Sequence, residues 1–126
     1  MRNMSFMLTT EQMYNETKTV TRRLGWSFLK AGDLVMACVK CQGLGKGGKI
    51  ERIHPIEIIS NTPEWLGYIG VEPIREPFLE TEAMREGFME MTGWQFLLMF
   101  CKEMKCDPTT LVNRIEFKHQ THKQKG

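Results

Sequence analysis

Four glycines within Gly43–Gly48 separate a pair of β-prone runs, Leu34–Cys41 and Lys49–Ile59, and this break constrains the fold more than any other feature. Leu34–Cys41 carries apolar residues at both parities, the pattern of a strand buried on both faces. Lys49–Ile59 holds five isoleucines and supplies the partner strand, so the segment reads as a long hairpin. Pro55 interrupts it and predicts a bulge or a free edge, because proline cannot donate to a ladder. The same glycines imitate two nucleotide-binding patterns. Gly43, Gly45 and Gly48 have dinucleotide-fingerprint spacing, and Gly43 with Gly48-Lys49 matches most of a phosphate loop. Both patterns need a helix directly afterwards to receive the phosphates, and the second needs Ser or Thr where Ile50 stands. A plain hairpin connection is what survives.

Helix signals fall elsewhere. Thr9 with Gln12, and Thr92 with Gln95, have capping-box spacing, placing one helix over about Thr10–Glu16 and a longer one after Thr92. On the longer helix Trp94, Leu97, Leu98, Cys101 and Met104 form one apolar stripe, widened by Phe96 and Phe100, and Trp94 is expected in the core. Asp107-Pro108 ends it. Thr81–Glu86 reads as a short helix stopped by Gly87. Ser5–Leu8 and Leu111–Lys118 read as opening and closing strands, and Ala31-Gly32-Asp33 as a turn. Pro63, Pro73 and Pro77, with Gly67 and Gly70, make a stretch too broken for long elements. Neither a repeat nor a dividing linker is present. The pattern predicts one α+β domain over residues 1–117, followed by a basic, disordered tail over 118–126.

Several function classes recede on composition. At 126 residues the chain is long enough for one domain with its own core. No run approaches the ~20 apolar residues of a membrane span, and no signal-peptide pattern follows Arg2. Four cysteines without an export signal fit reduced thiols in a cytoplasmic protein. Cys38 and Cys41 have the spacing of half a zinc site, but a strand sends them to opposite faces, and Cys101 and Cys106 do not complete it. No metal and no cofactor are expected.

Charge is distributed unevenly. The net charge is +2, yet Lys18–Arg52 carries +6 and Glu64–Glu90 carries −5. A basic half of this kind suits a polyanion, while the alternative is that the two halves neutralise each other across the fold.

The basic half begins with Lys18-Thr19-Val20-Thr21-Arg22-Arg23, an amine, two hydroxyls and paired guanidinium groups, with Trp26 three residues on. Such a set suits an anionic or hydrogen-bonding ligand, above all nucleic acid. The same groups also suit a small hydrolytic site. Trp26 is placed either to stack on a base or to pack with Leu24, Phe28 and Leu29.

These residues bring the chain to a known family. Lys18–Arg23, Lys30-Ala31-Gly32-Asp33-Leu34 entering a strand, Arg85-Glu86-Gly87-Phe88 before the helix of Trp94 and Phe96, and the closing Arg114–Phe117 occur in one order. In this it resembles the ASCH domains of the PUA-like superfamily, particularly short bacterial and phage-encoded ones. That resemblance implies a small mixed β-barrel of about five to six strands with flanking helices, binding RNA or a modified nucleoside. On this reading Lys18, Arg22, Arg23 and Trp26 are the expected nucleic-acid contacts, with Thr21 and Glu86 reading polar edges of a base. Some relatives remove an acyl group from N4 of cytidine using a lysine, a threonine and a glutamate, and these match Lys18, Thr21 and Glu86. In that chemistry the lysine takes the threonine proton and the carboxylate protonates the leaving amine. On a strand Lys18 and Thr21 would face apart, so they converge only if the chain turns between them. Other relatives cleave single-stranded RNA, which would recruit Lys18, Arg22 and Tyr14 or Tyr68. A protein-interaction adaptor is the third expectation.

Overall fold

In the computed structural model, which describes residues 1–41, 45, 47–71 and 81–121, the chain opens with a short strand, β1 (Arg2–Ser5). A 3-10 turn over Met7–Thr9 leads into helix α1 (Thr10–Tyr14) and strand β2 (Val20–Arg23). The expected hairpin follows as β3 (Leu34–Cys38) and β4 (Arg52–Trp65), paired antiparallel. A 3-10 turn over Leu66–Val71, helices α2 (Glu82–Arg85) and α3 (Gly93–Met104), and strand β5 (Leu111–His119) complete the chain.

The five strands lie in the order β1-β3-β4-β5-β2. β1 runs parallel to β3, and every other pair is antiparallel. The sheet curls into a half-barrel with β1 and β2 at its edges. Arg23 spans the seam between them: it donates from Nη2 to the Ser5 carbonyl at 2.6 Å and lies 4.6 Å over the Phe6 ring. An arginine on both edges limits their exposure to foreign strands.

Alternation along β5 explains how one sheet serves two cores. Ile115 and Phe117 point into a cluster with Met4, Phe6, Met13, Val35, Ile56 and Ile58. Val112, of opposite parity, enters a second cluster with Leu66, Ile69, Ala83, Phe96, Leu97 and Phe100. Burying each such side chain contributes ~1.5–3 kcal/mol, so both clusters hold the sheet.

Several expectations are corrected. The opening strand lies over Arg2–Ser5 rather than Ser5–Leu8, and Thr9 caps α1 without a side-chain bond. The irregularity expected at Pro55 lies beside it, as a register shift opposite Ala37 and Cys38. Residues 60–65, expected to be broken by Pro63, continue β4. Only Leu34–Cys38 of β3 pairs with β4, through Arg52–Glu57, so beyond that point β4 has β5 on one side and tolerates a proline. Trp94 is 56% exposed rather than core. α3 turns Phe96, Leu97 and Phe100 inward, and Trp94 lies across Gly70, whose missing side chain makes room for it and for Leu97. The closing strand runs on through His119. Most of the glycine connection, the Pro73–Pro77 segment and residues 122–126 lie outside the described residues.

Candidate active site

The chain does turn ahead of Lys18. After α1, Thr17 and Lys18 both donate their main-chain N–H to the Gln12 carbonyl, at 3.0 and 3.3 Å, and the preceding Glu16 is left-handed with φ 64°. Lys18 therefore stands outside the strand register that begins at Val20. Thr19 donates to the Arg85 carbonyl at 2.8 Å, which brings the end of α2 alongside. Gly87 allows that approach. Its φ is +101°, and a Cβ there would lie 3.1 Å from the Gln12 side chain and 3.3 Å from Lys18 Cβ.

The result brings Lys18 and Glu86 into direct contact. Lys18 Nζ donates to Glu86 Oε1 at 2.7 Å and to the Glu86 carbonyl at 2.6 Å, with both side chains buried. Thr21 Oγ1 accepts from Arg23 Nε at 3.0 Å. Lys18, Thr21, Arg22, Arg23 and Glu86 line one cavity of about 360 Å³. Phe6, Met7, Leu8, Phe88, Phe96, Met99, Phe100 and Met104 supply its apolar lining, and Ser5, Thr9 and Glu103 also reach it. A polar floor under an aromatic and thioether wall is the arrangement of a small-molecule site.

The two arginines take different roles. Arg22 is committed to the protein: its three nitrogens donate to Glu64 at 2.9 Å, Glu82 at 2.5 Å and Glu86 at 3.0 Å. Burial opposes the Arg22 charge, but Glu86, Glu64 and Glu82 together outweigh it and hold its pKa above the ordinary arginine value. Glu82 is also bound by Arg114 and Arg85. The acidic half of the chain thus neutralises Arg22 internally, and that arginine is not available to a phosphate. Arg23 uses Nε on Thr21 and Nη2 on Ser5, and among the described residues its Nη1 meets no acceptor. Burial pushes its guanidinium down to about 10, against the pull of Glu86, so it remains charged at neutral pH.

Burial is also the largest influence on Lys18. It lowers the amine from its usual value, Glu86 opposes that shift, and Arg23 and Arg22 add to it. An amine of this kind gives up its proton more readily than an exposed lysine.

Three sequence candidates are placed elsewhere. Trp26 packs on Phe28 and the first core with φ 67°, its carbonyl held by Asn61 Nδ2, and is not among the cavity-lining residues. Tyr14 bonds Glu51 at 2.6 Å, and Tyr68 is 61% exposed; neither lines the cavity beside Lys18. Cys38 and Cys41 are free thiols, and no group able to hold a metal ion occurs among the described residues. No helix among the described residues is long and apolar enough to cross a membrane. The residues that sequence reasoning missed are the apolar wall. The spacing of Phe96, Met99 and Phe100 on one helical turn was the available signal.

A curled five-stranded sheet with short helices is the fold this chain shares with an ASCH domain of known structure. Among solved structures the chain is similar to the ASCH domain from Lactobacillus crispatus JV V101, at 18% identity and a TM-score of 0.54. That match covers 94% of this chain and 78% of that one. It is also similar to a protein from Enterococcus faecalis V583 described by the family model DUF984, at 16% identity and a TM-score of 0.49, covering 89% and 71% of the two chains. The fold assignment rests on the first alone. No family model matches the sequence, and no curated protein matches it.

Proposed function

We propose that this protein binds a modified nucleoside, free or as a base swung out of RNA, in the cavity beneath β1 and β2. The observation that carries this reading is the convergence of Lys18, Thr21, Arg23 and Glu86 on one recess of about 360 Å³ walled by phenylalanine and methionine. Apolar side chains take the faces of a base, and the polar floor reads its edges. Arg23 Nη1 is the cationic donor left for a ligand carbonyl or phosphate. A recess of this size accepts one nucleoside rather than a length of strand. Calorimetric titration with cytidine and N4-acetylcytidine tests it. Binding is expected for the acylated nucleoside and is expected to weaken at least tenfold in Arg23→Ala, the size of one lost charged hydrogen bond. Equal heats from wild type and Arg23→Ala would remove the site.

The short contact between Lys18 and Glu86 favours a second reading, hydrolysis of the N4 amide. Here the Lys18 amine, whose affinity for its proton burial has lowered, takes the Thr21 hydroxyl proton. Thr21 Oγ1, oriented by the bond it accepts from Arg23 Nε, attacks the acyl carbon, and charge develops on the acyl carbonyl oxygen. Glu86 relays a proton to the departing N4, releasing cytidine and leaving an acyl-threonine. Water then hydrolyses the ester, releases the acid and restores the hydroxyl. Chromatography of N4-acetylcytidine with excess enzyme checks this: cytidine is expected from wild type and none from folded Thr21→Ala. Product from Thr21→Ala at the wild-type rate would refute it.

A further inference from the structure

Helix α3 ends on a pair of thiols that neither reading uses. Lys105 is left-handed, with φ 52°, and the Cys101 carbonyl accepts from the main-chain N–H of both Lys105 and Cys106, the second at 3.1 Å. A helix closed in this way brings the side chains at the two ends of the longer bond together, commonly as an apolar contact. Here both positions are cysteines. Both are free, half-buried thiols, and both pack against the second core. Burial raises the Cys101 thiol above its ordinary value, and Cys106 and Asp107 add to the rise, so each sulfur is part of the other's surroundings. The Cα atoms of such a pair lie on the order of 5–6 Å apart, the separation that a disulfide takes.

Cys38 and Cys41 are placed differently. Cys38 is fully buried in β3, where its thiol donates to the Met36 carbonyl at 3.5 Å, and burial pushes it up to about 11. A thiol held so is a poor source of thiolate.

We propose that Cys101 and Cys106 form a dithiol that a small disulfide such as oxidised glutathione converts to a disulfide, and that this bond fixes the rim of the cavity. The thiolate of one cysteine attacks a sulfur of the oxidant; a mixed disulfide forms and one glutathione leaves as its thiolate. The second cysteine gives its proton to water, attacks the mixed disulfide and expels the other glutathione. Two electrons pass from the pair to the oxidant, and one S–S bond replaces two S–H bonds.

The bond reaches the cavity through its position in the chain. Glu103 and Met104 lie inside the ring that it closes, and both line the cavity with Met99 and Phe100 of the same helix. Met104 is 43% exposed, so it belongs to the part of the lining that solvent reaches. Helix ends open more easily than helix interiors, and closing the ring removes that freedom. A rim ordered in advance leaves less to be ordered when a ligand enters. This last step rests on the reading of the cavity as a nucleoside site.

The full chain, equilibrated with oxidised glutathione at pH 8, tests the pair without any ligand. After unfolding and blocking of the remaining thiols, trypsin cuts at Lys102 and Lys105, between the two cysteines. The peptide ending in Cys101-Lys102 is expected to stay joined to the peptide beginning at Cys106 until a reductant is added. Separate peptides, free or carrying glutathione, would overturn the proposal, as would a Cys38–Cys41 bond formed in their place. Amide exchange at Met104 and Lys105 is expected to slow about tenfold on oxidation, and Cys106→Ser is expected to lose that response. Equal exchange in the oxidised and reduced proteins would contradict the effect on the rim. With N4-acetylcytidine as the probe, oxidation is expected to tighten binding about threefold or more, the size of ordering one long side chain in advance. Unchanged affinity alongside slowed exchange would overturn the link to the site. Binding in neither state would defeat the nucleoside reading, and the joined peptides and the exchange rates would still decide the thiol pair.

Discussion

Replacing Glu86 by leucine removes a carboxylate that is 3% exposed and is shared by two buried cations. Lys18 keeps only the Glu86 main-chain carbonyl, and Arg22 keeps Glu64 and Glu82. Breaking a buried ion pair from one side costs ~3–5 kcal/mol, because the remaining charge is left without its partner. Since Arg22 retains two carboxylates, the lower end applies, about 3 kcal/mol. Against a total stability of ~5–15 kcal/mol this is a large share, and for a chain of this length it lowers Tm by about 10 °C. Urea unfolding followed by tryptophan fluorescence measures it, with an unchanged m-value as the check on two-state behaviour. The double variant Lys18→Met/Glu86→Leu removes the orphaned charge with its partner, and should recover about 1–3 kcal/mol relative to Glu86→Leu. A loss below about 1 kcal/mol in Glu86→Leu would mean that the pair is solvated and the floor of the cavity is not as described.

The remaining predictions concern the groups around that pair. Burial opposes the Glu82 charge, but hydrogen bonds from Arg114 and Arg22 outweigh it and hold the carboxyl well below the usual range. Its stabilisation is therefore complete above the ordinary value of 4.5 and is lost as pH falls through the folded value. Urea midpoints should decline as buffers are taken from pH 6 to pH 3, and less steeply in Glu82→Gln. Gly87→Ala forces a side chain into a left-handed residue against Gln12 and Lys18 and should cost about 2 kcal/mol. It should also weaken nucleoside binding, because it pushes on Lys18 Cβ. Thr92→Ala deletes the cap whose hydroxyl accepts from Gln95 N–H at 3.1 Å, and should cost about 1 kcal/mol without changing affinity.

Local signals in the sequence were reliable where short-range chemistry decides. The cap at Thr92, the stop at Gly87, the Ala31–Asp33 turn and the pairing across the glycine break all follow from neighbours within a few residues. Long-range pairing was not legible. The parallel partnership of β1 with β3 leaves no mark in either strand, and β4 continues through Pro63 because of which neighbours it lacks. The site divides the same way. Lys18, Thr21 and Glu86 carry recognisable residue types, but their meeting depends on the turn after α1 and on the space left by Gly87. The acidic half was visible as a charge excess, whereas the pairing of Arg22 with Glu64, Glu82 and Glu86 needed the fold. The wall escaped notice because an amphipathic stripe does not say which of its residues face a core and which face an opening.

The central claim is that one recess takes one modified nucleoside. Methyl NMR of the full chain, with N4-acetylcytidine added, tests it at the wall and the floor together. Shifts confined to the methyls of Thr21, Met7, Leu8, Met99 and Met104, saturating with ligand, are the expected result. Shifts centred on exposed residues remote from the cavity, such as Leu111 and Ile59, or no shifts at millimolar nucleoside, would contradict it.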